Sequence, residues 1–204
     1  GVEIVSSKGY VGLQESRTAV NTLVSIKQFE SNLKRGSKDA NKSITEFHHD
    51  NDMSFRGVVG DYSIERGWID THTGGYDPNN NSICERRIGM LNQLFRILLL
   101  CATGGHTYYE SLWGRGLVYA SEIIDSMPWP DRESPNSFLA EEEVVPSEYR
   151  HVFGAYCLYY VDKEQKSGKW QPNSEMGIWV GLNPDGHSSH LVCPIKWDSF
   201  NKAW

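Results

Sequence analysis

Glu46-Phe47-His48-His49-Asp50-Asn51-Asp52-Met53-Ser54-Phe55 ends a short extended stretch, Ser43 to His49, on a cluster of acids. Thirty-five positions after Asp50, Tyr76-Asp77-Pro78-Asn79-Asn80-Asn81-Ser82-Ile83-Cys84-Glu85-Arg86-Arg87 carries a second carboxylate, Glu85, out of a loop and into a long helical pattern. A strand end and a helix start are two rigid supports that can meet in one crevice. Two-metal phosphoryl transfer asks for such supports, because carboxylates must bridge divalent ions about 3.5–4 Å apart. Each acid also has a plainer reading. Asp is a common turn residue after a strand, and Glu in the first turn of a helix is favoured by the helix dipole.

The flanking sequence supplies the rest of an α/β pattern. Val2 to Gln14, with Gly9 and Gly12, reads as an edge hairpin or a strand with a turn. Ser16 reads as an N-cap for a helix over Ala19 to Arg35. Val20, Leu23, Val24, Phe29 and Leu33 would form its buried face, with Lys27, Glu30 and Lys34 in water. Trp68 to Thr73, after a turn at Gly67, reads as another short strand. The strongest helix is predicted over Ser82 to Ala102, with Ile88, Leu91, Phe95, Leu98 and Leu99 as its core stripe. A further helix is predicted from about Tyr108 to Ser126, with Trp113, Phe95 and Leu117 packed between the two. Pro128 and Pro130 end it, and the acidic stretch to Pro146 reads as a linker. From His151 onward, three extended runs, Val152 to Val161, Gly177 to Leu182 and Leu191 to Trp197, suggest a small β-module.

Composition is that of an ordinary globular chain: 204 residues, 39% hydrophobic, 23% charged and 12% aromatic, enough to bury a core. The longest apolar run, Ile97 to Ala102, is far too short to span a membrane. Cys84, Cys101, Cys157 and Cys193 show no close pairing and read as reduced, structural thiols of an intracellular protein. His187 and His190 have no accompanying ligand at metal spacing and read as loop polarity. The net charge of −6 is unevenly placed. Residues 1–103 hold 12 basic and 12 acidic side chains and residues 104–204 hold 8 and 14, so the whole excess lies in the second half. That balance argues against tight autonomous binding to nucleic-acid phosphates, though not against a local basic face.

Taken in order, these segments resemble the retroviral-type integrase core of copia-like retrotransposons. Asp50-Asn51-x-x-x-Phe55 is similar to the second acidic motif of that family, and the Tyr-x-Pro loop with Glu85-Arg86 seven residues after Pro78 is similar to the third. Gly67-Trp68-Ile69 matches the short strand before the family's catalytic loop. Trp113, Ala120 and Pro128 match its Trp-containing helix and stop, and Phe153-Gly154-Ala155 and Gly177-Ile178-Trp179-Val180-Gly181 match the post-core motifs. The resemblance covers nearly all of the chain. It implies an α/β, ribonuclease-H-like integrase core over 1–127, an acidic linker over 128–150, and an appended small β-module over 151–204. It also implies Asp50 and Glu85 as two of three carboxylates for Mg2+ or Mn2+, approaching each other in one crevice. Asn79, Asn80 and Asn81 would lie on a loop beside the target strand, with Arg86 and Arg87 near nucleic-acid phosphates.

The pattern's first strand, with its first acid, falls before Gly1, and Asp52 stands where Gly is usual. The chain, opening on Gly rather than Met, reads as a processed product, a fragment, or an ordered part of a longer protein. Two readings follow. One is an integrase core captured by its host as a non-catalytic scaffold or binding subunit of a nucleoprotein assembly, for example an organellar ribosome in a mitochondrion. There, other protein subunits would cover the place of the missing strand, and the nucleic-acid partner could be RNA. The other is a fragment of an active nuclear integrase performing DNA 3′-processing and strand transfer. The acidic second half and aromatic tail favour capture, while Asp50 and Glu85 favour activity. An unrelated α/β binding domain is the outside alternative.

Overall fold

The computed structural model describes residues 2, 7–37, 39, 43–50, 52–73, 82–103, 112–140, 151–162, 164, 166, 168, 170–183 and 189–195. Along the chain run α1 (Ala19–Gly36), β1 (Glu46–His49), a 3-10 turn (Met53–Phe55), α2 (Val58–Arg66), β2 (Ile69–His72), α3 (Ser82–Thr103), α4 (Trp113–Ser126), α5 (Pro135–Ala140), β3 (Tyr156–Tyr160), β4 (Ser174–Leu182) and β5 (His190–Pro194). They form two compact units. One is Gly1–Asn92 with Ser121–Pro146, and the other is Gln93–Ala120 with Ser147–Trp204. The expected boundaries at 127 and 150 differ from this division, which falls inside α3 and α4. The stretch expected to be a linker carries α5, whose Pro135, Ser137 and Leu139 are buried.

In the first unit β1 and β2 pair in parallel, Glu46 opposite Ile69 through His49 opposite His72. Parallel neighbours need a crossover, and α2 lies between them in sequence. Gly67 ends α2 in the left-handed conformation at φ 69°. Its N–H donates to the Ile64 carbonyl while the Trp68 N–H reaches back to Ser63, at 3.0 and 2.9 Å. This closing turn, open to Gly because it has no Cβ, sends Trp68 into a core with Ile26, Val59 and Tyr62, flanked by Leu23, Ile44, Phe47 and Phe55. Of the hairpin or strand expected over Val2 to Gln14, Val2 forms an isolated antiparallel bridge with Gly9, residues 7–14 otherwise carry no strand, and 3–6 lie outside the described residues.

Helix α1 forms where its periodicity predicts, but its cap and its buried face differ. Thr18, not Ser16, is the N-cap, and its hydroxyl accepts from the Asn21 N–H. The buried residues are Thr22, Ile26, Glu30 and Leu33, whereas Val20 and Val24 are exposed. Glu30 is tolerated inside because three donors meet it. Lys34 lies 2.8 Å from one oxygen, and Tyr62 at 2.7 Å and Arg66 at 3.2 Å meet the other. Burial pushes the Glu30 carboxyl up, but Lys34, the Tyr62 hydroxyl and Arg66 together outweigh it and hold it below the usual glutamate range. A depressed carboxyl stabilises the fold above its unfolded pKa, and that contribution is lost as pH falls through the folded value. Glu30→Gln is therefore expected to be less stable than the parent at neutral pH, with the gap closing in acid below the ordinary glutamate range. Urea midpoints taken against pH check this; a gap that does not change with pH would refute it.

In the second unit β3, β4 and β5 form an antiparallel sheet in sequence order, as the three extended runs led one to expect. One face of it meets the first turns of α4. Tyr119 stacks on Phe153 at 6.0 Å and stands edge-on to Trp179 at 5.0 Å, and its hydroxyl donates to the His151 carbonyl at 3.0 Å. Gly154, at φ 81°, lies so close to α3 that a Cβ there would come 2.3 Å from the Ala102 Cβ. Trp113 is not the buried wedge that was expected; it is 57% exposed at the first position of α4. Phe95 and Leu117 are half-buried. The Phe95 ring sits on Gly116, where a Cβ would be 2.4 Å away, and the absence of a side chain there leaves room for it. Cys84, Cys101, Cys157 and Cys193 are all free thiols; Cys101, expected inside an apolar stretch, is exposed.

Candidate functional site

Asp50 follows the last residue of β1, and its side chain is exposed. The strand end that carries it is held from three directions. The His49 ring stacks on Phe55 at 4.7 Å, its Nε2 meets Asp70 Oδ1 on β2 at 2.9 Å, and its Nδ1 meets the backbone carbonyl of Asp50 at 2.5 Å. The His72 ring also stacks on His49, at 6.1 Å. On the opposite face of the strand, Thr71 donates to Glu46 at 3.1 Å and lies 2.8 Å from His48 Nδ1. A hydroxyl has one proton to give, so His48 Nδ1 is the donor to Thr71. The His48 Nε2 is buried and has no hydrogen-bond partner among the described residues.

The extra acid beside the site is neutralised locally. Asp52 caps the 3-10 turn by accepting from the Ser54 N–H at 2.9 Å and pairs with Arg17 at 2.5 Å. The Ser54 hydrogen bonds, with Arg17 adding to them, hold its carboxyl below the usual aspartate range. Asp52 is thus a turn cap, the plain reading that applied equally to Asp50.

Glu85 lies in the first turn of α3, exposed, with Arg86 exposed beside it. Arg87 departs from the phosphate-facing role that the resemblance implied. It is 4% exposed and turned inward, its Nη2 2.5 Å from Asp125 Oδ1 on α4 and 3.3 Å from the Ser121 hydroxyl. Asp125, itself buried, also accepts the Gly9 N–H at 3.0 Å and has Lys8 3.5 Å from its second oxygen. The guanidinium lies flat against Gly9, where a Cβ would be 2.5 Å from Nη2. The physical reason is helical geometry. Successive residues turn by about 100°, so Arg87 lies about 200° around the axis from Glu85, on nearly the opposite side of α3, and faces inward where Glu85 faces out. Asn79, Asn80 and Asn81 lie outside the described residues.

Sequence reading missed the His49–Asp70 pair and the Glu46–Thr71–His48 chain. The period-2 alternation of Glu46 and His48 against Phe47 and His49 held the signal for which side chains share a face; their partners on β2 depend on the strand register. Among the described residues no group of three His, Cys, Asp or Glu is placed to hold a metal ion. Asp50 and Glu85 stand on the elements expected of them, but two carboxylates do not complete a donor set for an Mg2+ or Mn2+ pair. No helix among the described residues is long and apolar enough to cross a membrane.

No family model matches the chain. Among solved structures, it is similar to a chain in the cryo-EM structure of the simian T-cell lymphotropic virus intasome in complex with PP2A regulatory subunit B56 gamma. The TM-score is 0.55 at 14% identity, covering 96% of this chain and 68% of that one. It is also similar to the catalytic core domain of BIV integrase in crystal form I, with a TM-score of 0.48 at 16% identity, covering 68% of this chain and 81% of that one. At such identities the likeness concerns the fold alone: the chain has a mixed α/β architecture similar to that of the intasome chain.

Proposed function

We propose that this chain derives from a copia-type retrotransposon integrase and acts, as it stands, as a non-catalytic scaffold or binding subunit of a nucleoprotein assembly. The observation that carries the reading is the state of the site. Asp50 and Glu85 are exposed, but no third ligand groups with them among the described residues, and one of two neighbouring arginines is committed to a buried ion pair. The acidic second half of the chain points the same way, because a surface that tracks phosphates is ordinarily basic. Arg86 is the cation left facing outward beside Glu85, and a local contact to DNA or RNA is assigned to it. An organellar site, such as a mitochondrial ribosome, fits this reading; a nuclear one fits the alternative.

That alternative, a part of an active integrase using Mg2+ or Mn2+ for 3′-processing and strand transfer, is favoured by the exposure of both carboxylates 35 positions apart. Strand transfer on short DNA ends, with Mg2+ or Mn2+ and with Asp50→Asn and Glu85→Gln as controls, separates the two. No transfer by the folded chain is the expected result. Transfer that both substitutions abolish would establish the active reading and overturn ours.

A further inference from the structure

Strand β3 is an edge of the antiparallel sheet: among the described residues it pairs with β4 alone. Its five residues, Tyr156-Cys157-Leu158-Tyr159-Tyr160, include no charge and no proline, the usual guards of an open edge. The opposite edge, β5, ends on Pro194. On the outward face of β3, Tyr156, Leu158 and Tyr160 are 69%, 72% and 64% exposed, and Met176 beside Leu158 is partly exposed.

The phase of the ladder matters as much as the side chains. Trp179 N–H donates to the Ala155 carbonyl at 2.9 Å and Val161 N–H donates to the Asn173 carbonyl at 3.0 Å. Antiparallel residues alternate between bonding to one neighbour and to the other. The odd-numbered residues of β3 therefore bond to β4. The backbone N–H and C=O groups of Tyr156, Leu158 and Tyr160 face the open edge.

We propose that this edge pairs with the same edge of a second copy of the chain, antiparallel, about a two-fold axis at Leu158. In that register Leu158 meets Leu158 of the second copy and Tyr156 meets its Tyr160. All three pairs are made of residues whose backbone groups face outward, so each pair exchanges two hydrogen bonds. The same register sets aromatic rings opposite one another on the exposed face. The strand is neutral, so like charges are not opposed, and Asp162 just beyond it comes opposite Gly154 of the second copy. An isologous contact must be self-complementary, and the pattern Tyr-x-Leu-x-Tyr with this phase is so. The three side chains expose at most roughly 400 Å² per protomer, or about 800 Å² for the pair. Stable complexes usually bury about 1,200–2,000 Å², so the association is weak, in the micromolar range or above, and concentration-dependent.

Sedimentation velocity on the full chain over a concentration series tests this. The expected result is a dimer that grows with concentration and is lost in Leu158→Lys, which sets two ammonium groups face to face at the axis. Because Leu158 is exposed, that variant is expected to keep the far-UV circular dichroism of the parent. A second measurement keeps the side chain neutral. Leu158→Cys should form a chain-to-chain disulfide on mild oxidation, since paired Cα atoms there lie about 5.5 Å apart, within the roughly 4.4–6.8 Å that a disulfide spans. Tyr156→Cys should cross-link with Tyr160→Cys when the two are mixed, and native Cys157, opposite Tyr159 of the second copy, should not cross-link to itself. A monomer at every concentration, whether or not the edge takes up an extended segment of another protein, overturns the proposal. So does a dimer indifferent to Leu158→Lys with no cross-link at position 158.

Discussion

Arg87→Ala should unfold the first unit at markedly lower urea than the parent, a loss of about 3–5 kcal/mol, the usual cost of removing one partner of a buried ion pair. Asp125 would be left buried with the Gly9 N–H and Lys8 at 3.5 Å as its remaining support, which places the loss toward the lower end. Among the described residues two nitrogens of the guanidinium, Nε and Nη1, have no partner, so the ion pair falls short of its full hydrogen-bonding capacity. This makes a compensating change informative. Arg87→Met with Asp125→Leu removes both charges together and is expected to recover a large part of the loss, because an apolar pair has no desolvation penalty. The Gly9 N–H would then lack its acceptor, a residual cost of about 1–3 kcal/mol. An Arg87→Ala midpoint within about 0.5 kcal/mol of the parent, the range of ordinary surface substitutions, would mean that Arg87 is not the internal anchor described.

Phe153→Ala is expected to be comparably damaging in the second unit, at about 3–5 kcal/mol. The side chain is fully buried, stacks on Tyr119, and lies where a Cβ on Gly116 would be 3.4 Å from its ring tip. Its neighbour Gly154 holds a backbone conformation at φ 81° that other residues rarely adopt, so the chain cannot readily slide to fill the hole. The near-UV signal of Tyr119 and Trp179 should weaken with the loss of the stack, and Phe153→Leu should cost less because it leaves a smaller cavity. A thermal midpoint unmoved by Phe153→Ala would show that the cluster around Tyr119 does not hold the sheet against α4.

Much of the architecture was legible locally. The helical stretches of α1 and α3, the extended runs of β3, β4 and β5, and the turn at Gly67 are each set by residues within a few positions of one another, where period and turn chemistry act, although the buried stripes differ: Val20, Val24 and Ile88 are exposed. The order of short motifs pointed to an integrase-like core; the mixed α/β fold is what the structure shares with the intasome chain. Side-chain facing was a different matter. Glu30 reads as a solvent residue until Tyr62 and Arg66 are seen around it, 32 and 36 positions away. Arg87 reads as a partner for phosphate until Asp125, 38 positions later, is found beneath it. Trp113 reads as core, yet Gly116 and Tyr119 form the inner contact.

The sequence by itself determined where α1, α3, α4 and the strands β1 to β5 form, though not α2 or α5, and which two carboxylates stand at a strand end and a helix start, because local propensity and spacing decide those things. Only the tertiary structure decided which polar groups are buried, which arginine is free to face outward, and which strand edge remains open. Burial of a charge is set by whether partners from distant segments offset its desolvation. An edge is open or closed according to which strands neighbour it in space, and neither property is written within one element.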